Sequence, residues 1–289
     1  MLAQLLLSGL SQGAIYALVA LGMTVLYRTT SVLNFGYGDT FMMGAFAFYF
    51  FLKVAHFSFA PAALCAVATM VLVGVVVERL FIRPIMNKSH LLVAMMTVAI
   101  SFLFRGVARM FWGSQIQAMP PLLDVPPIVV GDAVVTSQSL VIMVAAAMLV
   151  LGFFGFFHGT RTGRLMQAAS HSPRGAALIG VNVPAFSAWM WGLSAAIAAL
   201  AGILVAPVTL LYPDMGGSIL LKAFAAMTLG GFGNLGGAVL GGVVLGMSEQ
   251  LCGGYLSTAF MGIFPYLVIL VTLVILPSGI LGRAEVIRV

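Results

Sequence analysis

Long apolar runs, not short alternations, set the rhythm of this chain. They fall at 5–27, 40–53, 61–77, 91–112, 139–157, 184–206, 216–230, 237–252 and 261–281. A helix needs about 20 apolar residues to cross a hydrocarbon core of roughly 30 Å, and most of these runs have that length. The stretch 40–77 is too long for one crossing, since at about 1.5 Å per residue it would reach about 57 Å. It must divide, and Pro61, preceded by His56 and Ser58, marks the break. Runs 40–53 and 216–230 are short, and Lys222 lies inside the second. The pattern predicts an all-α polytopic membrane protein with eight or nine transmembrane segments, some of them half-helices or broken ones. No Ser-, Pro- or charge-rich linker divides residues 1–289, so a single transmembrane domain is expected.

Composition closes off the alternatives. The 289 residues are 62% hydrophobic and only 7% charged, against roughly 45–50% and 25% for a soluble domain. So few charges cannot cover that much apolar surface. Disordered and collagen-like readings fail on the same grounds. The net charge of +6 rests on 13 scattered Lys and Arg, with no dense basic face for nucleic acid. Cys65 and Cys252 both sit in apolar runs and imply no disulfide framework. The first run has no basic segment before it and continues to Tyr27, so a retained span is expected rather than a cleaved signal.

Charge matters most for orientation. Segment 78–90 carries Glu78, Arg79, Arg83 and Lys88, net +2, and segment 158–183 carries Arg161, Arg164 and Arg174, net +3. Segment 113–138 holds only Asp124 and Asp132, net −2. The positive-inside rule then predicts that the first two are cytoplasmic and the third external. Counting outward puts the N-terminus outside and Arg283 and Arg288 inside. Arg105 and Arg109 share one face toward the outer end of their helix, where they would snorkel or line a subunit interface.

Several short motifs bear on function. Gly9-Leu10-Ser11-Gln12-Gly13 matches a hydrolase nucleophile elbow, but it lies in an apolar helix, with all four histidines in expected loops. It reads instead as a small-residue packing face, like Gly237/Gly241, Gly242/Gly246 and Ser194/Ala198/Gly202. Asn34-Phe35-Gly36-Tyr37-Gly38-Asp39-Thr40 interrupts two apolar runs with two glycines and an acid. Asp39 or Thr40 is expected to cap the helix that follows. The same break is a candidate for an unwound segment facing a translocation pathway. A weaker echo at Phe232-Gly233-Asn234-Leu235-Gly236 adds Gly233 and Asn234 to that pathway set of Asn34, Gly36, Tyr37, Gly38 and Asp39. Asp214 allows the same two readings as Asp39. Glu249, an acid within a late apolar run, is expected near the outer interface, bonded to neighbouring backbone. No nucleotide-binding P-loop, H-E-x-x-H or Cys/His cluster is present, so no intrinsic catalysis, cofactor or metal is expected.

Three blocks resemble a known family. Gly9–Leu18 with Ala20–Thr24 and Asn34–Asp39 is similar to the N-terminal signature of branched-chain amino-acid ABC importer permeases, in particular the shorter of the two permease subunits. Arg161-Thr162-Gly163-Arg164 through Ala168-Ala169, then Ala176 to Asn182, resembles the cytoplasmic loop that docks on the ATPase. Ala223–Ala226 and Gly230–Gly242 resemble the Gly-rich C-terminal region. The match differs at two places. Tyr37 replaces a histidine, with Asp39 as the acid, and the loop at His171 and Ser172 lacks an acidic or amide residue.

The resemblance implies a permease subunit of a binding-protein-dependent importer in a bacterial inner membrane. Its partners would be a sister permease, two ATP-binding cassette ATPases and a periplasmic solute-binding protein, embedded in membrane lipid. It also implies ATPase docking through Arg161, Gly163, Arg164, Leu165, Ala168, Ala169 and Gly180. Helical spacing of Arg164, Leu165, Ala168 and Ala169 predicts a short helix over 163–177, ended or kinked near Ser172 by Pro173. Related permeases also serve urea, amides and aromatic acids, so the solute stays open. The alternative reading is a secondary transporter or channel driven by an ion gradient, opposed by the scarcity of intramembrane acids.

Overall fold

The structure, a computed structural model, describes residues 1–282 apart from 32, 87, 123–125, 131–132, 172 and 179. Asp124, Asp132, Ser172, Arg283 and Arg288 therefore lie outside the described residues. Helix α1 is Leu2–Thr30, and α2 is Tyr37–Tyr49, prolonged by a π-helical turn at Phe50–Val54. Next come α3 (Phe59–Val77), which runs on through a π turn to Ile85, and α4 (His90–Trp112). A small antiparallel hairpin, β1 (Ile128–Val130) and β2 (Ala133–Val135), pairs Ile128 with Val135. Then follow α5 (Ser137–Gly159), α6 (Arg161–His171), α7 (Pro173–Leu178) and α8 (Val183–Thr209). The last three are α9 (Met215–Gly230), α10 (Leu235–Tyr255) and α11 (Thr258–Ile275).

Among the described residues 7 helices are long and apolar enough to span a membrane, and α9 is a shorter apolar helix. With α2 also short, at 13 residues, the elements follow the apolar runs of the sequence, and the two short runs are the two short helices. Local chemistry sets most helix starts. The side chains of Ser89, Thr136, Asn182, Asn234 and Ser257 each accept a bond from a backbone N–H in the first turn of the helix they precede. Helices α2 and α9 lack such a cap.

The bundle has two ends. At one lie the end of α1, the α5–α6–α7 connection, the start of α8, the α9–α10 turn and the end of α3. Arg83 there bonds the carbonyl of Pro184 at 2.8 Å, which brings the two basic loops together. At the other end Gln4 bonds both backbone groups of Val134 on the hairpin, and Gln117 pairs with Leu211. Helices α1 and α8 form the core and are largely buried, whereas α11 lies on the periphery with only 11% of its span covered.

Close backbone approach joins α1 to α10. A Cβ on Gly13 would fall 2.8 Å from the Cα of Val243, and one on Gly9 2.7 Å from the Cα of Met247. On the facing helix Gly246 meets the backbone of Gly13, and Gly242 that of Ala17. The Gly9/Gly13 motif is therefore a packing face, as its spacing predicted. Gly246→Val should cost more than the ~1–3 kcal/mol of ordinary overpacking, because the clash is with backbone. Gly106→Val, where nothing lies within 4 Å, should be neutral. Thermal unfolding in detergent checks both.

Candidate functional site

Helices α2 and α9, both without a side-chain cap, meet head to head inside the bundle. Beyond α1, residues 33–36 lead into α2, and the amide of Phe35 donates to Thr97 Oγ1 at 3.1 Å. After α8, the segment 210–214 turns in from the hairpin end. The first turns then abut: a Cβ on Gly216 would lie 2.5 Å from the carbonyl carbon of Gly38 and 3.0 Å from the amide of Asp39. From this point α2 runs to the hairpin end, where Tyr49 Oη donates to Gln117 Oε1 at 3.0 Å. Helix α9 runs to the α6 end, where the amide of Ile280 bonds Leu229.

The acids at these starts have basic partners on α4. Asp39 accepts from Arg105 Nε and Nη2 at 2.8 and 3.1 Å and from Ser101 Oγ. Its carboxylate is 1% exposed. One turn along α4, Arg109 donates to both oxygens of Asp214 at 2.9 and 2.8 Å, in a half-exposed pair. Arg105 and Arg109 therefore neither snorkel nor stand free. Asp39 and Asp214 each hold a guanidinium with both carboxylate oxygens in place of capping the helix, a charge-assisted bidentate contact. The α2 start is Gly36, one turn earlier than Asp39 or Thr40 would place it.

A third pair crosses three helices. Lys222 Nζ on α9 lies 2.7 Å from Glu249 Oε1 on α10 and 2.9 Å from Tyr16 Oη on α1. Glu249 is buried, and among the described residues its Oε2 has no partner. Its expected backbone bonding gives way to an ion pair, since an intramembrane acid is held best by a counter-charge. Beside Lys222 a pocket of about 140 Å³ opens between α1, the end of α8 and α9.

The expected pathway residues separate into two places. Asn34, Gly36, Tyr37, Gly38 and Asp39 gather at the α2 start. Asn34 Oδ1 accepts from the Gly36 amide at 2.9 Å, and Tyr37 Oη donates to the Ser194 carbonyl at 3.0 Å. Gly36 lies in the break and Gly38 in the first turn of α2. Gly233 and Asn234 stand instead at the α6 end, on the wall of a cleft of about 620 Å³. There Asn234 caps α10 and donates to the Leu281 carbonyl at 2.6 Å, while Gly233 takes a φ of 75°. The sequence echo between these two segments is not a structural one: the counterpart of the α2 start is the α9 start.

Of the expected 163–177 helix, the described residues fall in α6 (Arg161–His171) and α7 (Pro173–Leu178), with residue 172 outside the described residues. Arg161, Arg164, Leu165 and Ala168 face outward on α6. Gly163, Met166 and Ala169 face the bundle, with Ala169 only 2% exposed. A Cβ on Gly163 would strike the end of α5, 2.7 Å from the carbonyl carbon of Phe157. Gly180 follows α7 with a φ of 86°, a conformation that favours glycine.

Residues 5–273 match the family described as the branched-chain amino acid transport system permease component. Relatives include the high-affinity branched-chain amino acid transport system permease protein LivH of Escherichia coli K12, 29% identical over 99% of this chain and 97% of that one. BraD of Pseudomonas aeruginosa, which carries the same description, is 28% identical over the same shares. A probable branched-chain amino acid transport permease, LivH of Methanocaldococcus jannaschii, is 29% identical over 92% and 88%. Among solved structures, a chain of PsaBC from Streptococcus pneumoniae in complex with Fab shares the fold, with a TM-score of 0.53 at 12% identity. That likeness covers 94% of this chain and 91% of the other.

Proposed function

We propose, from the premise that this chain belongs to the branched-chain amino acid transport permease family, that it is one permease subunit of an ABC importer in a bacterial inner membrane. It would import a branched-chain amino acid or a related small polar solute, with ATP hydrolysed by partner subunits. The family match over residues 5–273 carries this reading. The paired acids support it against ion-gradient coupling, because Asp39, Asp214 and Glu249 each hold a basic partner. A proton- or ion-coupled carrier needs a carboxylate free to exchange its charge.

The partners in this reading are a sister permease, two ATPases beneath the α6 end and a periplasmic binding protein above the hairpin end. The outward residues of α6, Arg161, Arg164, Leu165 and Ala168, would meet the ATPase, and Gly163, Ala169 and Gly180 would shape the helix that presents them. Asn34, Gly36, Tyr37, Gly38 and Asp39 would border the pathway at the head-to-head helix starts. Gly233 and Asn234 would border it at the cytoplasmic mouth.

In vesicles carrying the assembled complex, uptake should collapse on ATP depletion and survive an uncoupler while ATP is maintained. The reverse pattern would establish ion coupling. Sidedness has its own check. The two basic loops share one end of the bundle, which supports a cytoplasmic α6 end and an external N-terminus. In intact cells an impermeant thiol reagent should modify Gln117→Cys and spare Ala168→Cys.

A further inference from the structure

We infer that the pocket beside Lys222 is a subsite for the carboxylate end of a transported solute, an inference that rests on the permease reading above. Its polar lining is Gln12 and Tyr16 of α1, Thr209 and Tyr212 around the end of α8, and Ser218 and Lys222 of α9. All of these side chains can donate a hydrogen bond, and no carboxylate is among the lining residues. The hydroxyls of Thr209 and Ser218 already donate to the carbonyls of Val205 and Met215. One cation therefore faces neutral side chains of which Gln12, Tyr16 and Tyr212 can donate to a ligand. The pocket of about 140 Å³ is smaller than the roughly 300–1,000 Å³ of a whole-ligand site, so it fits an end group.

The Glu249 pair gives the second, independent observation. Glu249 reaches Lys222 from α10 with one oxygen, and its other oxygen is buried without a partner among the described residues. A pair built for stability alone would satisfy both oxygens, since each unmet acceptor in a dry site costs free energy. The Lys222 side chain is 26% exposed and lines the pocket, while the Glu249 side chain is 3% exposed and does not line it. Glu249 thus holds Lys222 in place when the site is empty and neutralises it within the membrane. An arriving carboxylate would share the ammonium without a change in covalent structure or protonation.

Thiol chemistry in the assembled importer tests this without turnover. In a Cys65→Ser/Cys252→Ser background, Ser218→Cys places a probe at the pocket wall. Its reaction with an anionic sulfonate methanethiosulfonate should be favoured over that with a cationic trimethylammonium one. Lys222→Gln alone would strand the buried Glu249, so Lys222→Gln/Glu249→Gln is the informative variant. It should lower the anionic-to-cationic rate ratio at least about tenfold, the scale of local field focusing in a cleft. Lys222→Arg should keep the ratio. Leucine should slow the anionic reagent and leucinamide, which lacks the carboxylate, should not.

An unchanged ratio in the double variant overturns the subsite, as does equal protection by leucinamide. Protection by acetate but not by leucine also overturns it, leaving a small-anion site only. The importer reading fails separately, on absent ATP-driven uptake by the unmodified complex, whatever the modification rates show.

Discussion

Arg105→Gln should cost the bundle a large share of its stability, while Arg109→Gln one helical turn away should barely register. Asp39 is 1% exposed, and Arg105 is the cation that meets both its oxygens. Removing the guanidinium strands a carboxylate in the interior, which costs about 3–5 kcal/mol. That is a large share of a typical folding free energy of roughly 5–15 kcal/mol. Asp214 and Arg109 are each 51% exposed, and an ion pair of that kind contributes roughly 0–1 kcal/mol. Thermal unfolding of the permease in detergent reads the contrast directly. A companion variant separates loss of charge balance from loss of shape. Asp39→Asn/Arg105→Gln removes both charges and retains hydrogen-bonding groups, so it should recover most of the stability lost by Arg105→Gln. If the double variant is as unstable as the single one, packing around α4 rather than the ion pair governs the site.

These pairs mark where the sequence stopped being readable. Run length and Pro61 located the helices, because a bilayer imposes a length on any segment that crosses it. Small-residue spacing disclosed packing faces on α1 and α10, since Gly9, Gly13, Gly242 and Gly246 mean little in a membrane helix except close approach, but not that these two faces meet. Partners of the charged residues were not legible in the same way. Asp39 and Arg105 are 66 positions apart, and Lys222 and Glu249 are 27 apart. Only the packing of whole helices decides such pairings. A sequence signal did exist: Asp39, Asp214 and Glu249 and Arg105, Arg109 and Lys222 all lie in or beside apolar runs, where unlike charges seek each other. The signal gives the need for partners without their identity. The head-to-head meeting of α2 and α9 was hidden for a related reason. Short apolar runs reveal half-helices, yet which two touch depends on breaks at opposite ends of the bundle.

Ala168→Glu should abolish solute-stimulated ATP hydrolysis by the assembled complex without lowering the stability of the permease, and Ala169→Glu should do the reverse in order of cause. The two alanines are adjacent, but an α-helix turns about 100° per residue. Ala168 shares the outward face of α6 with Arg161, Arg164 and Leu165, at spacings of one and two turns. Leu165 is 47% exposed there, an apolar side chain at a basic rim that suits a groove on a partner. Ala169 lies on the opposite face with Gly163 and Met166, and Met166 belongs to the cluster of Leu21, Val25, Phe153 and Phe157. A glutamate at Ala169 would enter that apolar contact without a counter-charge and loosen α6 from the bundle. One at Ala168 would stay in solvent in the isolated subunit and meet only the partner. Melting of the isolated permease and ATPase activity of the complex, measured on both variants, therefore separate docking from folding. If Ala168→Glu retains full stimulated hydrolysis and uptake, the ATPase contact lies away from α6. If it melts as early as Ala169→Glu, the outward face is itself part of the fold.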